Sequence, residues 1–176
     1  MSMMYKPSSL RKMVLLSLMT TVALIIFIIE AQIPLAVTIP GIKLGLANIV
    51  TLILINDFKK HEVATVLILR IILGSIFSGQ IVTFFYSLSG GIMCFIAMSI
   101  CNKFFKENAL WFTSIVGALF HNIGQILIAM IILKSVNVIY YFPFLMISAI
   151  ITGFLTGITA QMIIKKMKKI IDFEKK

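Results

Sequence analysis

Apolar runs follow one another along nearly the whole chain, separated by short segments that carry lysine and arginine. That succession dictates a fold in lipid rather than in water. Composition closes the alternative: 60% of the residues are hydrophobic and 12% charged, against ~45–50% and ~25% in an ordinary soluble domain. One soluble core cannot hide that much apolar surface. No stretch between the runs has room for a globular domain of ~100 residues. Residues 1–176 therefore read as a single integral membrane domain, with a short N-terminal segment at 1–12 and a basic tail at 165–176.

A helix that crosses a bilayer needs ~20 largely apolar residues. The first run, Met13–Ile29, is longer than the ~7–15 residues of a signal-peptide core, and no A-x-A site precedes Glu30-Ala31-Gln32. It is expected to stay in place as a spanning helix. Ala31–Gly41, with Pro34 and Pro40, reads as a non-helical connection. The second run, Leu44–Ile55, is short and holds Gly45 and Asn48. It either begins inside the membrane or lies tilted under its neighbours. Val63–Cys101 is too long for one helix and is expected to break at Ser78-Gly79-Gln80. That gives a third helix ending near Phe77 and a fourth at Val82–Cys101, with a second weak point at Ser87–Gly91. The fifth helix reads as Ala109–Leu133 and the sixth as Ile139–Ile164.

Basic residues set the orientation. With the N-terminus inside, the cytoplasmic segments carry Lys6, Arg11 and Lys12; Lys59 and Lys60; Lys103 and Lys106; and Lys165, Lys166, Lys168, Lys169, Lys175 and Lys176. Only Lys43, Arg70 and Lys134 lie elsewhere. This asymmetry fits an all-α protein of about six transmembrane helices in the cytoplasmic membrane, with both termini in the cytoplasm. The formal net charge of +10 thus belongs to the ends of apolar runs and does not point to nucleic acid. Cys94 and Cys101 lie in one apolar run and read as small buried hydrophobes.

Polar residues inside the runs are the candidates for function. Arg70 stands in Leu67–Leu73 near a helix centre, where an arginine costs about 2.5–3.5 kcal/mol to insert and must face protein or water. It is either a structural pair or carbonyl clamp, or an anchor for a ligand. His121 and Gln125, spaced i and i+4, share a helix face with Asn122 beside it. That group is either interhelical glue or part of a polar pocket. Asn48 and Thr51 make a further polar stripe. Glu30 and Lys43 flank the outer connection and are expected to pair there. Glu30, Lys43, Asn48, Arg70, Gln80, His121 and Gln125 all fall in the middle or outer half of the six-helix arrangement. They are expected to converge on a pocket open outward, with apolar walls from Phe77, Phe84 and Tyr86.

Enzyme readings lack parts. The aspartates are Asp57 and Asp172 alone, so no aspartate-rich run binds a magnesium diphosphate. No phosphate-binding glycine loop and no HExxH zinc motif occurs, and no second histidine or cysteine has metal-ligand spacing around His121. The chain is expected to carry no metal, no cofactor and no catalysis of its own.

Three segments in combination carry a family resemblance. They are Gly41–Ile49; Leu69–Ser75 with Tyr86–Gly91; and Gly117–Gln125. From about Met13 to Lys166 the chain resembles the Gx transporter family, also labelled heptaprenyl diphosphate synthase component I. That family in turn resembles the substrate-binding S components of energy-coupling-factor (ECF) transporters. The resemblance implies a six-helix subunit, both termini inside, that captures a small vitamin-like nutrient or an isoprenoid or quinone precursor from outside. ATP hydrolysis would belong to partners, a coupling membrane protein and two ATPases. Arg70, Lys43, Glu30, Asn48, Gln80, Tyr86, His121, Asn122 and Gln125 would then serve the substrate. Ser17 and Thr21, a small-x-x-x-small pair on the first helix, would serve docking where S components carry Ala-x-x-x-Ala. The alternative is a non-catalytic membrane subunit of a polyprenyl diphosphate synthase.

Overall fold

The computed structural model describes residues 9–32, 43–105 and 109–174. Among them the chain is helical, with no strand: α1 is Ser9–Ala31, α2 Asn48–Asp57, α3 Lys60–Ser78, α4 Ile81–Phe105, α5 Leu110–Leu133 and α6 Phe142–Glu174. A short 3-10 helix, Val136–Tyr141, leads into α6. Five segments are long and apolar enough to cross a membrane: Leu10–Ala31, Lys60–Ser78, Ile81–Phe105, Leu110–Leu133 and Val136–Met167. The second apolar run differs. Its helix has 10 residues, or about 15 Å at 1.5 Å per residue, half of a ~30 Å hydrocarbon core. Six α-helices are therefore present among the described residues, and α2 by itself is too short to span.

Local chemistry explains the ends. Glu62 caps α3 by accepting the Lys59 N–H at 3.0 Å, which satisfies one of the donors a helix start leaves free. The expected break between the third and fourth runs is real: Gly79 adopts φ +65° and closes α3, a conformation that glycine enters without penalty. The second weak point, Ser87–Gly91, is uninterrupted α4. Lys134, at φ +48°, ends α5, with its N–H on Ile131 O and that of Ser135 on Met130 O, a left-handed helix stop. Pro143 sits in the first turn of α6, where its missing N–H is harmless. The α6 backbone continues well past the expected end at Ile164.

α4 and α6 both pack closely on α5 and make one group, while α1 packs on α3, which also meets α4. Backbone approach explains the first group. A Cβ on Gly153 of α6 would stand 2.7 Å from the Ile115 Cα of α5, and one on Gly157 would meet the Trp111 Cα closer still. Glycines four apart on one face let two helices touch backbone to backbone, the usual device where lipid supplies no hydrophobic drive between helices. An ion pair between Lys12 and Glu62 sets the starts of α1 and α3 at the same end. Apolar side chains cover the outside: Leu10, Met13, Ile76, Ile131, Phe144 and Leu155 are all exposed, as a lipid-facing surface requires.

Leucine at Gly157 should separate α5 from α6. Overpacking typically costs about 1–3 kcal/mol, so Gly157→Leu is expected to lower the unfolding temperature of the detergent-purified protein clearly. Ile151→Ala, on the exposed face, should leave it nearly unchanged.

Candidate functional site

The buried polar residues gather where α2 begins. Its approach turns at Gly45, whose φ of +80° suits a residue without Cβ. A Cβ there would also stand 2.9 Å from both Asn48 Nδ2 and His121 Cδ2. Glu30, in the last turn of α1, closes this start. Its carboxylate accepts the backbone N–H of Gly45 in a short hydrogen bond and that of Ala47 at 3.5 Å. An acid from one helix thus satisfies the free donors at the head of another.

From there a hydrogen-bonded chain crosses the bundle. Arg70 of α3 donates through NH2 to Asn48 Oδ1 at 3.2 Å, and Asn48 Nδ2 lies 3.2 Å from His121 Nδ1. The Gln125 amide is assigned with its oxygen toward the ring, the orientation that satisfies both of its ends. Its oxygen then accepts from His121 Nε2 at 3.1 Å and from the Lys43 N–H at 3.2 Å, and its nitrogen donates to Lys43 O at 3.0 Å. The sequence of donors makes His121 a neutral ring, accepting at Nδ1 and donating at Nε2. Arg70, Asn48, His121 and Gln125 are each at most 4% exposed. The mutual hydrogen bonds of Asn48, His121 and Gln125 are what such burial demands.

Glycines give the ring its slot. A Cβ on Gly90 of α4 would stand 2.8 Å from His121 Cε1 and Nδ1, and one on Gly124 would stand 2.8 Å from Ser89 O. The Ser89 hydroxyl donates to Gly124 O at 2.8 Å, tying α4 to α5 at the same level. The stretch expected to weaken the fourth helix is instead a point of close backbone approach to the fifth.

Lys43 is held differently from expectation. Among the described residues no Lys43–Glu30 ion pair forms, because the Glu30 carboxylate faces backbone N–H groups. The Lys43 ammonium stands over the Phe27 ring, 3.3 Å from its centroid, a cation–π contact. Phe27 in turn packs where Gly74 lacks a side chain. Nothing in the reading of polar residues singles out Phe27. Its spacing of i, i+3 from Glu30 on one face of α1 is the signal that finds it.

Of the sequence candidates, Glu30, Lys43, Asn48, Arg70, His121 and Gln125 come together. Others do not join them. Asn122 is buried beside the network but donates to Leu145 O at 2.7 Å, tying α5 to α6. Gln80 is exposed and accepts from the Thr83 hydroxyl at 3.3 Å at the start of α4. Tyr86 is buried in an apolar cluster with Ile126, Ala129, Val138 and Leu145. Phe77, 67% exposed, faces outward and is no pocket wall, while Phe84 is half-buried. Ser17 and Thr21 are exposed on α1, the Thr21 hydroxyl bonded to Ser17 O at 3.0 Å.

Residues 19–163 match the family described as heptaprenyl diphosphate synthase component I. The chain belongs to that family. No curated protein and no solved structure matches it. The matched span contains every member of the buried network, from Glu30 to Gln125.

Replacing His121 by leucine fills the slot but leaves the Asn48 amide nitrogen without a partner and takes one of its two donors from the Gln125 oxygen, which keeps the Lys43 N–H. Each orphaned buried group costs about 1–3 kcal/mol. Thermal unfolding in mild detergent should show a large loss for His121→Leu and little change for Gln80→Ala.

Proposed function

We propose that this chain is the substrate-binding subunit of an ECF-type, ATP-driven importer. It would cross the cytoplasmic membrane six times with both termini inside and capture a small nutrient from outside. The observation that carries this reading is the buried Arg70–Asn48–His121–Gln125 network, with Lys43 and Glu30 at its edge, in the middle of a bundle whose outside is apolar. Such groups are expensive in lipid and mark solute or ion sites by default. Entry from outside agrees with the ladder of contacts, which climbs from Arg70, midway along α3, to Lys43 in the stretch between α1 and α2.

Orientation rests on charge. The joint start of α1 and α3 favours the same arrangement, since the chain must return between them, α2 being part of the way back. Cysteines introduced at Lys103 and Lys166, in a protein whose Cys94 and Cys101 are serine, should react with an impermeant maleimide only in opened cells. A cysteine at Lys134 should react in intact cells. Labelling at Lys103 from outside would overturn the topology.

Partner proteins would supply ATP hydrolysis. The exposed Ser17 and Thr21 on α1 suit the close approach of a coupling helix. A second reading has an observation of its own: the family description favours a non-catalytic membrane subunit attached to a heptaprenyl diphosphate synthase. A mild-detergent pull-down from the native membrane separates the two. Two ATPases with a coupling membrane protein are expected; a soluble prenyl synthase chain without ATPases would sink the importer. A small molecule retained by the wild type should be lost from Arg70→Ala while that protein still elutes as a folded species.

A further inference from the structure

The network leaves two cationic atoms over. Lys43 Nζ and Arg70 Nε are buried without a hydrogen-bond partner among the described residues, and both side chains are more than nine-tenths buried. The side chains around them are committed. Asn48, His121 and Gln125 hold one another and the Lys43 backbone, and Glu30 holds two backbone N–H groups. Glu30 nevertheless lies within electrostatic reach of both Arg70 and Lys43. Two formal cations therefore share one carboxylate, which leaves one positive charge in excess in an apolar surround. Burial of an uncompensated charge is strongly unfavourable, and its remedy is a counter-charge. The Phe27 ring face supplies part of this for the ammonium, but it cannot accept a full charge-assisted hydrogen bond.

We infer that the site takes one oxyanion, a carboxylate or a phosphate, with Lys43 Nζ and Arg70 Nε as its donors. Asn48, His121 and Gln125 are positioning residues: they aim the guanidinium and hold the Lys43 backbone, and they do not read the ligand. The inference rests on the reading of the cluster as a solute site and narrows its substrate to an anion. Lysine and arginine are chemically suited to the task, the one as a point charge and the other as a planar donor. The oxyanion has two sources, a molecule free in water or the headgroup of an anionic lipid.

The full chain in phosphatidylcholine nanodiscs is the material for the test. Thermal unfolding is followed against sodium phosphate and sodium acetate, with ionic strength held by sodium chloride. A saturable rise in unfolding temperature with at least one oxyanion is expected in the wild type. Half-saturation should weaken by about tenfold in Lys43→Gln, the loss of one charge-assisted hydrogen bond, and be largely kept in Lys43→Arg. Nanodiscs of phosphatidylglycerol identify the source. If the headgroup fills the site, the wild type unfolds higher there, added phosphate has no further effect, and Lys43→Gln removes the difference between the two lipids. A wild type with no saturable response in phosphatidylcholine and no difference between the lipids overturns the inference, even where no variant folds. So does a Lys43→Gln protein that responds like the wild type, which would mark an adventitious ion only. Recovery of a prenyl synthase in the pull-down would remove the importer but leave an oxyanion response standing, so the two failures are distinguishable.

Discussion

An arginine in the middle of a lipid-facing bundle has to be answered by the rest of the protein. Arg70 cannot shed its charge and lies between two and three turns of apolar helix from either end of α3. Its hydrogen bond to Asn48 makes the start of α2 a structural necessity at that depth. Once Asn48 is there, its amide nitrogen needs a partner, which is His121, and the ring's far nitrogen needs another, which is Gln125. Each residue is required by the one before it. The glycines at 45 and 90 follow from the same demand, because a ring held at both nitrogens tolerates no crowding around it, and Gly124 lets the α4 backbone come close enough to place Gly90 there.

This explains why a 10-residue helix survives in a protein otherwise built from long ones. A short helix begun below the surface leaves backbone donors in the apolar region, where non-helical chain is tolerated only under protein cover. Glu30 supplies that cover from α1. The carboxylate thereby has two duties, capping α2 and offsetting the buried cations. Both duties depend on Lys43, Gly45 and Ala47 lying against the last turn of α1.

Much of this is legible in the sequence because lipid imposes a strict rule. Each polar residue in an apolar run has to find a protein partner, so Glu30, Lys43, Asn48, Arg70, His121 and Gln125 can be expected together before any coordinate is known. Partnership is another matter. Opposite charge predicts Glu30 against Lys43, whereas backbone N–H groups at a helix head compete for the carboxylate and an aromatic face takes the lysine. Gln80 looks equivalent to Gln125 in hydropathy, but it follows the turn at Gly79 and lies exposed at a helix start. The Gly-Gly pair at 90–91 has two meanings, a break or a close approach. Only the helix opposite decides between them, and that helix is more than thirty residues away in sequence.

The attachment of α1 carries a mechanical consequence. Among the described residues this helix packs mainly on α3, with lighter contact to α2, and two of its side chains support the cluster from one face: Phe27 beneath the lysine and Glu30 on the helix head. They move as one rigid unit. A force that draws α1 away along its lipid-facing side would strip the ammonium of its cushion and uncap α2 in the same stroke. The short helix would then lose the carboxylate at its start and keep only its packing on α3, α4, α5 and α6. The hold on the center of the bundle can therefore be loosened from the periphery, by a contact that never touches the buried residues.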